Sequence, residues 1–294
     1  MRCCRSNPGS LGQRRAGKWC AVAADAEREA STAGAQELAE QLERALAEHQ
    51  FLLLYQPTFD LKDGAFVGVE ALLRWRHPTR GTVGPEAFLS ALETTGLIKA
   101  VGSWVLTTAC RQGADWYARG HRFSVSVNVS RQQLAEPSLP TEVARALAES
   151  TFDPRHLVLE FSEHVLVGGT ELRVSLERLK ATGVRLAIDD FGMEPGSAML
   201  LETLPIDIVK IDRTFVSDLS TSTGHAARVH QLVELGLERH VQTVAQGIED
   251  DDQRLRLQGE NVDVGQGFLF SVPHDAEAID RFLEDYAIFS GKPL

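Results

Sequence analysis

The strongest constraint on the fold of this chain is a repeated alternation between short apolar runs and helical stretches. Several of the apolar runs end in an oxygen-bearing side chain, as at Asn128, Glu160 and Asp189. Apolar runs of about four to eight residues are typical of buried strands, and helices between them favour a parallel sheet. We count about eight such strands, which is the number that closes a (β/α)8 barrel.

The first two strands depart from this alternation. The runs Phe51 to Gln56 and Phe66 to Leu73 are separated by Asp63-Gly64, a turn signal that predicts an antiparallel hairpin. We therefore expect an α/β fold, specifically a modified (β/α)8 TIM-like barrel with an antiparallel first strand. A doubly wound open sheet is the alternative, but no glycine-rich phosphate loop follows an early strand.

The composition limits the classes of partner. The chain has 294 residues, with 41 acidic residues against 30 Lys and Arg and a net charge of −11. This balance argues against binding to a nucleic acid polymer or an anionic membrane. No stretch approaches the roughly 20 apolar residues of a membrane span. The four cysteines show no zinc-ligand spacing, which favours a cytoplasmic, reducing compartment.

The chain divides into three parts. Residues 1–32 form a predicted disordered tail, because basic residues without balancing acids, together with Ser, Gly and Pro, fill its first part. A misassigned start or a remnant of a larger protein is the alternative. Residues 33–50 predict an amphipathic lead-in helix, because Leu38, Leu42 and Leu46 recur every four residues. Residues 51–290 form the predicted barrel.

Strand alternation predicts where the polar strand-end residues point. Asn128, Glu160 and Asp189 each lie opposite the apolar residues of their own strand, so we expect them to point into the barrel mouth. A single acid of this kind is ordinarily a solvated charge or a loop cap, but convergence from several strands favours a site. A donor set of oxygens without histidine selects Mg²⁺ or Mn²⁺. The adjacent acids Asp189 and Asp190 could share one ion and hold a second.

Six motifs follow one another along roughly residues 36 to 290: Glu70–Trp75, Ser126–Ser130, Leu159–Glu163, Asp189–Gly192, Val209–Asp212 and Gly265–Phe270. Together they resemble the EAL domain family. Members of that family are phosphodiesterases and receptors for cyclic di-GMP, a bacterial second messenger. The resemblance implies a modified barrel with one antiparallel strand, in agreement with the predicted hairpin.

The resemblance also implies a role for each site residue. Asp189 matches a ligand of both metals, Asp190 a ligand of the second, and Lys210 the lysine that holds the attacking water. Glu163 matches the glutamate that anchors the loop after Gly192. The other expected ligands of the first metal are Glu70, Asn128 and Glu160, and the residues expected around the dinucleotide are Gln56, Arg74, Asp212, Glu249 and Gln266.

Two of these assignments have an alternative interpretation. The guanidinium fork of Arg74 suits a phosphate, but it could equally form a salt bridge within the protein. Glu249 matches a second acid near the catalytic glutamate of the family, but it could simply be a charge that favours a helix N-terminus.

Two departures from the family pattern point toward weakened catalysis. Gln246 stands where the family has a glutamate that binds the second metal and helps to activate water. Its amide offers an oxygen but no charge and no base, and losing general-base catalysis typically costs about 10²–10⁴ in rate. The loop Met193–Ala198, which includes Pro195, replaces a Thr-Gly-Tyr-Ser-Ser-Leu-like segment that couples dimer contacts to the metal site in the family.

The sequence therefore predicts a cyclic di-GMP-binding domain whose metal-dependent hydrolysis of the dinucleotide to pGpG is weak or lost. A competent phosphodiesterase is one alternative, and a protein-interaction module without ligand binding is another. The resemblance implies a homodimer. Because the lead-in helix resembles the linker to upstream modules, a GGDEF or sensory module acting in trans is a further expected partner.

Overall fold

The computed structural model describes residue 34 and residues 36–166, 170–194, 196–219 and 222–290, with side chains described as far as residue 286. The predicted disordered tail, with Cys3, Cys4 and Cys20, lies outside the described residues. Cys110 is a buried free thiol. Within the described residues, no helix is both long and apolar enough to cross a membrane.

The chain begins its described part with a helix and then forms the hairpin, after which helices and strands alternate. The strands are β1 (Phe51–Asp60), β2 (Phe66–His77), β3 (Gly81–Val83), β4 (Ser124–Asn128), β5 (Leu157–Ser162), β6 (Arg185–Phe191), β7 (Ile208–Ile211), β8 (Gln242–Ala245) and β9 (Val264–Gly265). The helices are α1 (36–47), α2 (Leu89–Thr95), α3 (Ile98–Ala118), α4 (Arg131–Leu134), α5 (Leu139–Ser150), α6 (Thr170–Lys180), α7 (Ser197–Thr203), α8 (Arg213–Ser217), α9 (Thr223–Arg239), α10 (Asp251–Gly259) and α11 (Ala276–Ser290).

Eight of the described strands close into a barrel. The order around the barrel is β1, β2, β4, β5, β6, β7, β8, β9 and back to β1, and β3 extends β2 outside the ring. Strand β1 is antiparallel to both of its neighbours, whereas β2 and β4 to β9 form parallel pairs. The prediction of a modified TIM-like barrel with an antiparallel first strand is confirmed.

The core lies mainly between the outside of the barrel and the helices. Strands β5 and β7 are buried along almost their whole length, as expected for parallel strands with a helical layer outside and a filled interior. A second, smaller apolar cluster fills the barrel interior, where Val158, Ala187, Ile208, Val244 and Val264 pack together. This packing closes the interior and leaves the polar strand ends as the chemically distinct part of the barrel.

Capped helices begin close to the ends of the site strands. Ser130 forms a capping box with Gln133 two residues after β4, and Asp250 forms another with Gln253 five residues after β8. Asp212 follows β7 directly and accepts a hydrogen bond from the backbone N–H of Thr214 at 2.7 Å. These side-chain caps end the strands at defined residues and therefore fix where the polar strand-end side chains emerge.

The last strand is shorter than the sequence pattern indicates. The apolar run predicts a strand over Val262 to Leu269, but β9 covers only Val264–Gly265. Gly267 lies so close to the backbone of Ile248 that no side chain fits there, and Leu269 donates its N–H to the Ile248 carbonyl. The contact with Ile248 turns the chain away from the barrel. Helices α7, α8 and α11 were not expected from the sequence pattern.

Candidate functional site

A lysine and two glutamates from three different strands form the centre of the barrel mouth. Lys210 of β7 donates through Nζ to Glu70 Oε2 and to Glu160 Oε2, each at 2.7 Å, and lies 3.7 Å from Asp189 Oδ1. Asn128 donates its side-chain amide to Glu70 Oε1 at 2.8 Å. The parallel register places these residues side by side although they are far apart in the sequence.

Burial and mutual charge shift the ionisation of this group. Burial, followed by the charge of Glu70, raises the pKa of Glu160 to about 8. Burial also opposes ionisation of Glu70, but the charge and hydrogen bond of Lys210 outweigh it and leave the Glu70 pKa below its usual value. Burial acts to lower the pKa of Lys210, and the three surrounding acids overcome this effect and raise it well above its usual value. The mouth therefore holds an ammonium ion between competing acids.

The adjacent acids Asp189 and Asp190 face the same region because β6 is irregular at this point. Successive strand residues normally point to opposite faces. Here the pairing of β6 with β7 shifts register between Ile188 and Phe191, and Asp190 adopts a left-handed conformation with φ of 55°. A β-bulge re-aims side chains in this way. The bulge places two acids, rather than one, at the end of β6.

Both of these aspartates are crowded by other acids. Burial, Asp189 and then Asp212 raise the pKa of Asp190, although a hydrogen bond from Ser162 Oγ at 3.2 Å opposes the shift. Burial is also the main cause of the raised pKa of Asp189, with the charge of Glu70 adding to it. Lys210 and a hydrogen bond from the Gln246 side chain act in the opposite direction.

Two glutamines extend the polar network across the mouth. Gln266 donates through Nε2 to Glu70 Oε2 at 2.9 Å and to Gln56 Oε1 at 3.3 Å. Gln56 in turn donates to the backbone carbonyl of Ser271 at 3.2 Å. Gln56 and Gln266, both assigned from the sequence to the ligand cleft, thus lie next to the acids in the folded chain.

Glu163 holds the loop that follows β6. Its Oε2 accepts hydrogen bonds from the backbone N–H groups of Gly192, Met193 and Glu194 at 3.0, 3.0 and 3.1 Å. The Glu163 side chain is buried, and the three N–H donors all bind Oε2, while Oε1 has no hydrogen-bond partner. This geometry is that of a loop anchor. Pro195, in the same loop, lies outside the described residues.

Arg74 and Glu249 lie at the edge of the site. Arg74 donates to the backbone carbonyl of Leu73 at 2.8 Å, and among the described residues no carboxylate lies within salt-bridge distance of it. Glu249 is exposed just before α10, where only its backbone N–H, bonded to Gln253, has a described contact. The structure therefore leaves the Arg74 fork available to a ligand, and among the described contacts none joins the Glu249 side chain to the acid cluster.

Ser162 is a site residue to which the sequence reasoning gave no role. Its hydroxyl contacts Asp190 Oδ2 and, at 2.8 Å, His164 Nδ1. Ser162 lies two residues after Glu160 on the same strand and hence on the same face, which is the signal that could have identified it. Together with Asn128, Leu72 and Ile98, it lines a largely apolar cavity of about 340 Å³ beside the acids.

The arrangement of the oxygen donors bears on whether the mouth can hold a metal ion. Among the described residues, no three His, Cys, Asp or Glu side chains are arranged to hold an ion, and the Lys210 ammonium supplies the compensating charge. The donor types nevertheless fit a hard divalent cation. Asp189 Oδ1 is buried without a hydrogen-bond partner, and so is Gln266 Oε1. These orphaned acceptors favour a cation at the mouth.

The fold and the site define a class of protein: a TIM-like barrel domain with an acidic, lysine-bridged mouth. The chain belongs to the EAL domain family, whose model matches residues 39–273.

Two curated relatives come from Pseudomonas aeruginosa. The chain is 36% identical over 260 residues to the cyclic di-GMP phosphodiesterase NbdA, covering 88% of this chain and 33% of the relative. It is 40% identical over 245 residues to the bifunctional diguanylate cyclase/cyclic di-GMP phosphodiesterase MucR, covering 83% of this chain and 36% of the relative. The chain thus spans about a third of the length of these relatives.

The solved structure of the PaMucR phosphodiesterase in complex with c-di-GMP is similar to this one. The TM-score is 0.80 at 39% sequence identity, and the alignment covers 83% of this chain and 99% of that structure.

Proposed function

We propose that this EAL domain binds cyclic di-GMP at its acidic mouth together with Mg²⁺ or Mn²⁺, and hydrolyses it weakly or not at all. The relatives are named as cyclic di-GMP phosphodiesterases, and the similar solved structure is a complex with this dinucleotide. The observation that carries the proposal is the Lys210 ammonium held between Glu70 and Glu160, beside the unpartnered Asp189 oxygen.

The bound metal would be held by oxygen atoms of the mouth and would polarise the phosphodiester and favour ionisation of water. The residues that would hold it are Glu70, Asn128, Glu160, Asp189 and Asp190.

Residues of this chain would bind and orient the dinucleotide. The Arg74 guanidinium can donate two parallel hydrogen bonds to a phosphate. Lys210 carries a proton on a nitrogen that is already positioned by two carboxylates, so it can donate to a water or a phosphate oxygen. The apolar cavity beside Asn128 offers a dry wall for a base. Gln56, Asp212 and Gln266 are the further residues we assign to ligand contacts.

The weakness of hydrolysis is inferred from Gln246. Its amide acts to lower the pKa of Asp189, whereas a carboxylate at this position would carry a negative charge and accept protons. An amide cannot act as a general base at neutral pH, and it attracts a cation less strongly than a carboxylate does. The site thus keeps its binding groups and lacks one group for chemistry.

A competent phosphodiesterase is the second candidate function. Its support is that Glu70, Asn128, Glu160, Asp189 and Lys210 all converge in the folded chain, which leaves only one position of the expected set altered.

We also propose a tail, a cellular compartment and partners for the domain. We assign residues 1–32 to a tail and the chain to the cytoplasm, with a homodimer and a GGDEF or sensory module in trans as partners. The support is the helix α1, which precedes the barrel directly, and the larger size of the relatives. Sedimentation with and without cyclic di-GMP would test the dimer.

The deciding experiment follows pGpG by chromatography after incubation of concentrated protein with cyclic di-GMP and Mn²⁺. We expect little product from the native chain, and at least about 100-fold more from Gln246→Glu, because the substitution restores a charged base and ligand. Gln242→Glu is a matched control, since it makes the same change at the other end of β8.

Each outcome has a distinct meaning. Abundant product from the native chain that EDTA abolishes would support the competent phosphodiesterase. A rate that Gln246→Glu leaves unchanged would contradict the role given to Gln246 and point to the loop around residues 193–198. Absence of both product and cyclic di-GMP binding by calorimetry would leave the protein-interaction module.

A further inference from the structure

Helix α9 holds the loop after β6 from outside the barrel. Arg228 donates through Nη2 to the backbone carbonyl of Gly192 at 2.9 Å. One turn further along α9, Leu232 packs against the same residue, so closely that a Cβ on Gly192 would lie 2.7 Å from Leu232 Cδ1. Two residues of one helix face therefore contact a single loop residue.

The same residue is held from the inside by Glu163. The carboxylate of Glu163 accepts the N–H of Gly192 at 3.0 Å, while Arg228 binds its carbonyl. Gly192 has φ of 101°, a conformation that only glycine adopts readily. Both polar backbone groups of Gly192 are thus bound by charged side chains from different elements, which leaves this residue little freedom.

The held residue lies two positions after Asp190, whose backbone is itself strained. A left-handed conformation is unfavourable at a residue other than glycine and persists only where the surroundings enforce it. The φ of 55° at Asp190 also keeps this acid near Asp189 and Asp212, where like charges repel it. A contact elsewhere in the fold must therefore keep the backbone at Asp190 from relaxing toward an extended strand.

We propose that Arg228 is a positioning residue for Asp190. By holding the Gly192 carbonyl against α9, it keeps the bulge of β6 in place and so keeps Asp190 at the mouth. The metal-binding part of this inference rests on the proposed function, whereas the backbone part does not. Sequence reasoning did not single out Arg228, because it lies 36 residues from Gly192 and carries no motif.

The contacts of Arg228 favour positioning over general stabilisation. Among the described residues no carboxylate lies within ion-pair distance of its guanidinium, and its described hydrogen bond is the one to Gly192. Arg239, at the end of the same helix, instead forms an ordinary surface ion pair with Glu202 at 2.5 Å. Arg239 is therefore a matched control of the same residue type and the same helix.

The test compares Arg228→Met, Arg228→Lys and Arg239→Met in the full chain without metal. We expect the backbone amides of residues 192–194 to exchange with deuterium about tenfold faster in Arg228→Met, because a charge-assisted hydrogen bond is lost. We also expect the Asp190 Cα chemical shift to move toward the value of an extended residue. Arg228→Lys should restore part of both effects, and Arg239→Met should show neither.

A second measurement links the backbone to the ion. Titration with Mn²⁺ alone should show several-fold weaker binding to Arg228→Met, with the urea unfolding midpoint close to that of Arg239→Met. Unchanged exchange and an unchanged Asp190 shift in Arg228→Met would overturn the proposal. Faster exchange without a change in the Asp190 shift would assign Arg228 to the loop alone and would also overturn it. If the native chain binds no Mn²⁺, the proposed function fails, and the Asp190 shift decides the positioning role by itself.

Discussion

The two ends of the barrel both carry charged side chains, but they use them differently. At the mouth, three acids, Glu70, Glu160 and Asp189, surround one lysine, Asp190 lies beside Asp189, and one buried oxygen of Asp189 has no hydrogen-bond partner. At the opposite end, where the parallel strands begin, the described acids are matched to donors.

Asp207 and Asp263 illustrate the matched end. Lys180 donates to both carboxylate oxygens of Asp207, at 2.7 and 2.8 Å, and the N–H of Leu186 adds a third hydrogen bond at 2.7 Å. Asp263 accepts from both the backbone N–H and the hydroxyl of Thr243. Each of these acids links the start of one strand to the adjacent strand, which is a structural role.

The difference between the two ends shows how a structural charge can be distinguished from a functional one in this fold. A buried acid that is fully hydrogen-bonded stabilises the native state, whereas a surplus of acids destabilises it unless a ligand supplies charge. The matched end is therefore complete in itself. Under the proposed function, a cation or a ligand completes the mouth, and without one stability is lower there than a mouth of neutral residues would allow.

Removal of Lys210 should have the largest effect on stability. Lys210→Met leaves the ionised Glu70 buried without its counter-ion and removes a hydrogen-bond donor from Glu160, and breaking a buried ion pair from one side costs about 3 kcal/mol or more. We expect the free energy of unfolding in urea to fall by that amount at pH 7.

Lys180→Met is the control at the matched end. Because Lys180 and Asp207 are about one-third exposed, the loss there should be at most about 1 kcal/mol. Equal losses in the two variants would contradict the distinction between the ends of the barrel.

A pair of aspartate substitutions should separate stability from binding. Asp207→Asn removes a charge from a satisfied acid and should cost about 1–2 kcal/mol of unfolding free energy, with binding of cyclic di-GMP unchanged. Asp189→Asn removes a charge from the crowded mouth, so we expect no loss of stability and at least about tenfold weaker Mn²⁺ binding. Urea unfolding and calorimetry measure the two quantities. A stability loss in Asp189→Asn as large as that in Asp207→Asn would show that the mouth acids are structural.

The smallest expected effect is a pH dependence that originates in Glu160. Its pKa is about 8 in the folded chain against an ordinary value of 4.5, so between these values the folded state keeps a proton that the unfolded state releases. The stability from this group is complete below pH 4.5 and is lost as the pH rises through about 8. In EDTA, we expect the free energy of unfolding to be about 1 kcal/mol lower at pH 8 than at pH 7.

Glu160→Gln should remove this contribution, while Glu177→Gln on the surface of α6 should not. His156, whose pKa is lowered mainly by burial, changes stability with pH in the opposite direction, but it does so equally in all three proteins. If the native protein loses no more unfolding free energy than Glu160→Gln does between pH 7 and pH 8, Glu160 is already ionised in the folded state at pH 7.

Much of the fold and part of the site could be predicted from local patterns. Alternation along a strand has a period of two, so Asn128, Glu160 and Asp189 could be assigned to the inside of the barrel without coordinates. The Asp63-Gly64 turn signal likewise predicted the antiparallel hairpin. These features depend on residues a few positions apart, which is the range over which sequence patterns carry information.

The bulge in β6 escaped prediction because it is not a local preference. Regular alternation would send Asp190 to the outside, and only the slipped pairing of β6 with β7 and the anchored Gly192 bring it to the mouth. The end of β9 escaped for a similar reason, since the backbone of Ile248 excludes a continuing strand there.

By itself, the sequence determined the barrel, its reversed first strand, the set of polar residues at the strand ends and the neutral amide at Gln246, since these depend on periodicity, turn chemistry and residue identity. Only the tertiary structure decided that Lys210 lies between Glu70 and Glu160, that Asp190 turns inward and that Arg228 holds Gly192. These contacts join segments up to 140 residues apart, and the low-dielectric packing between them sets which acids are ionised.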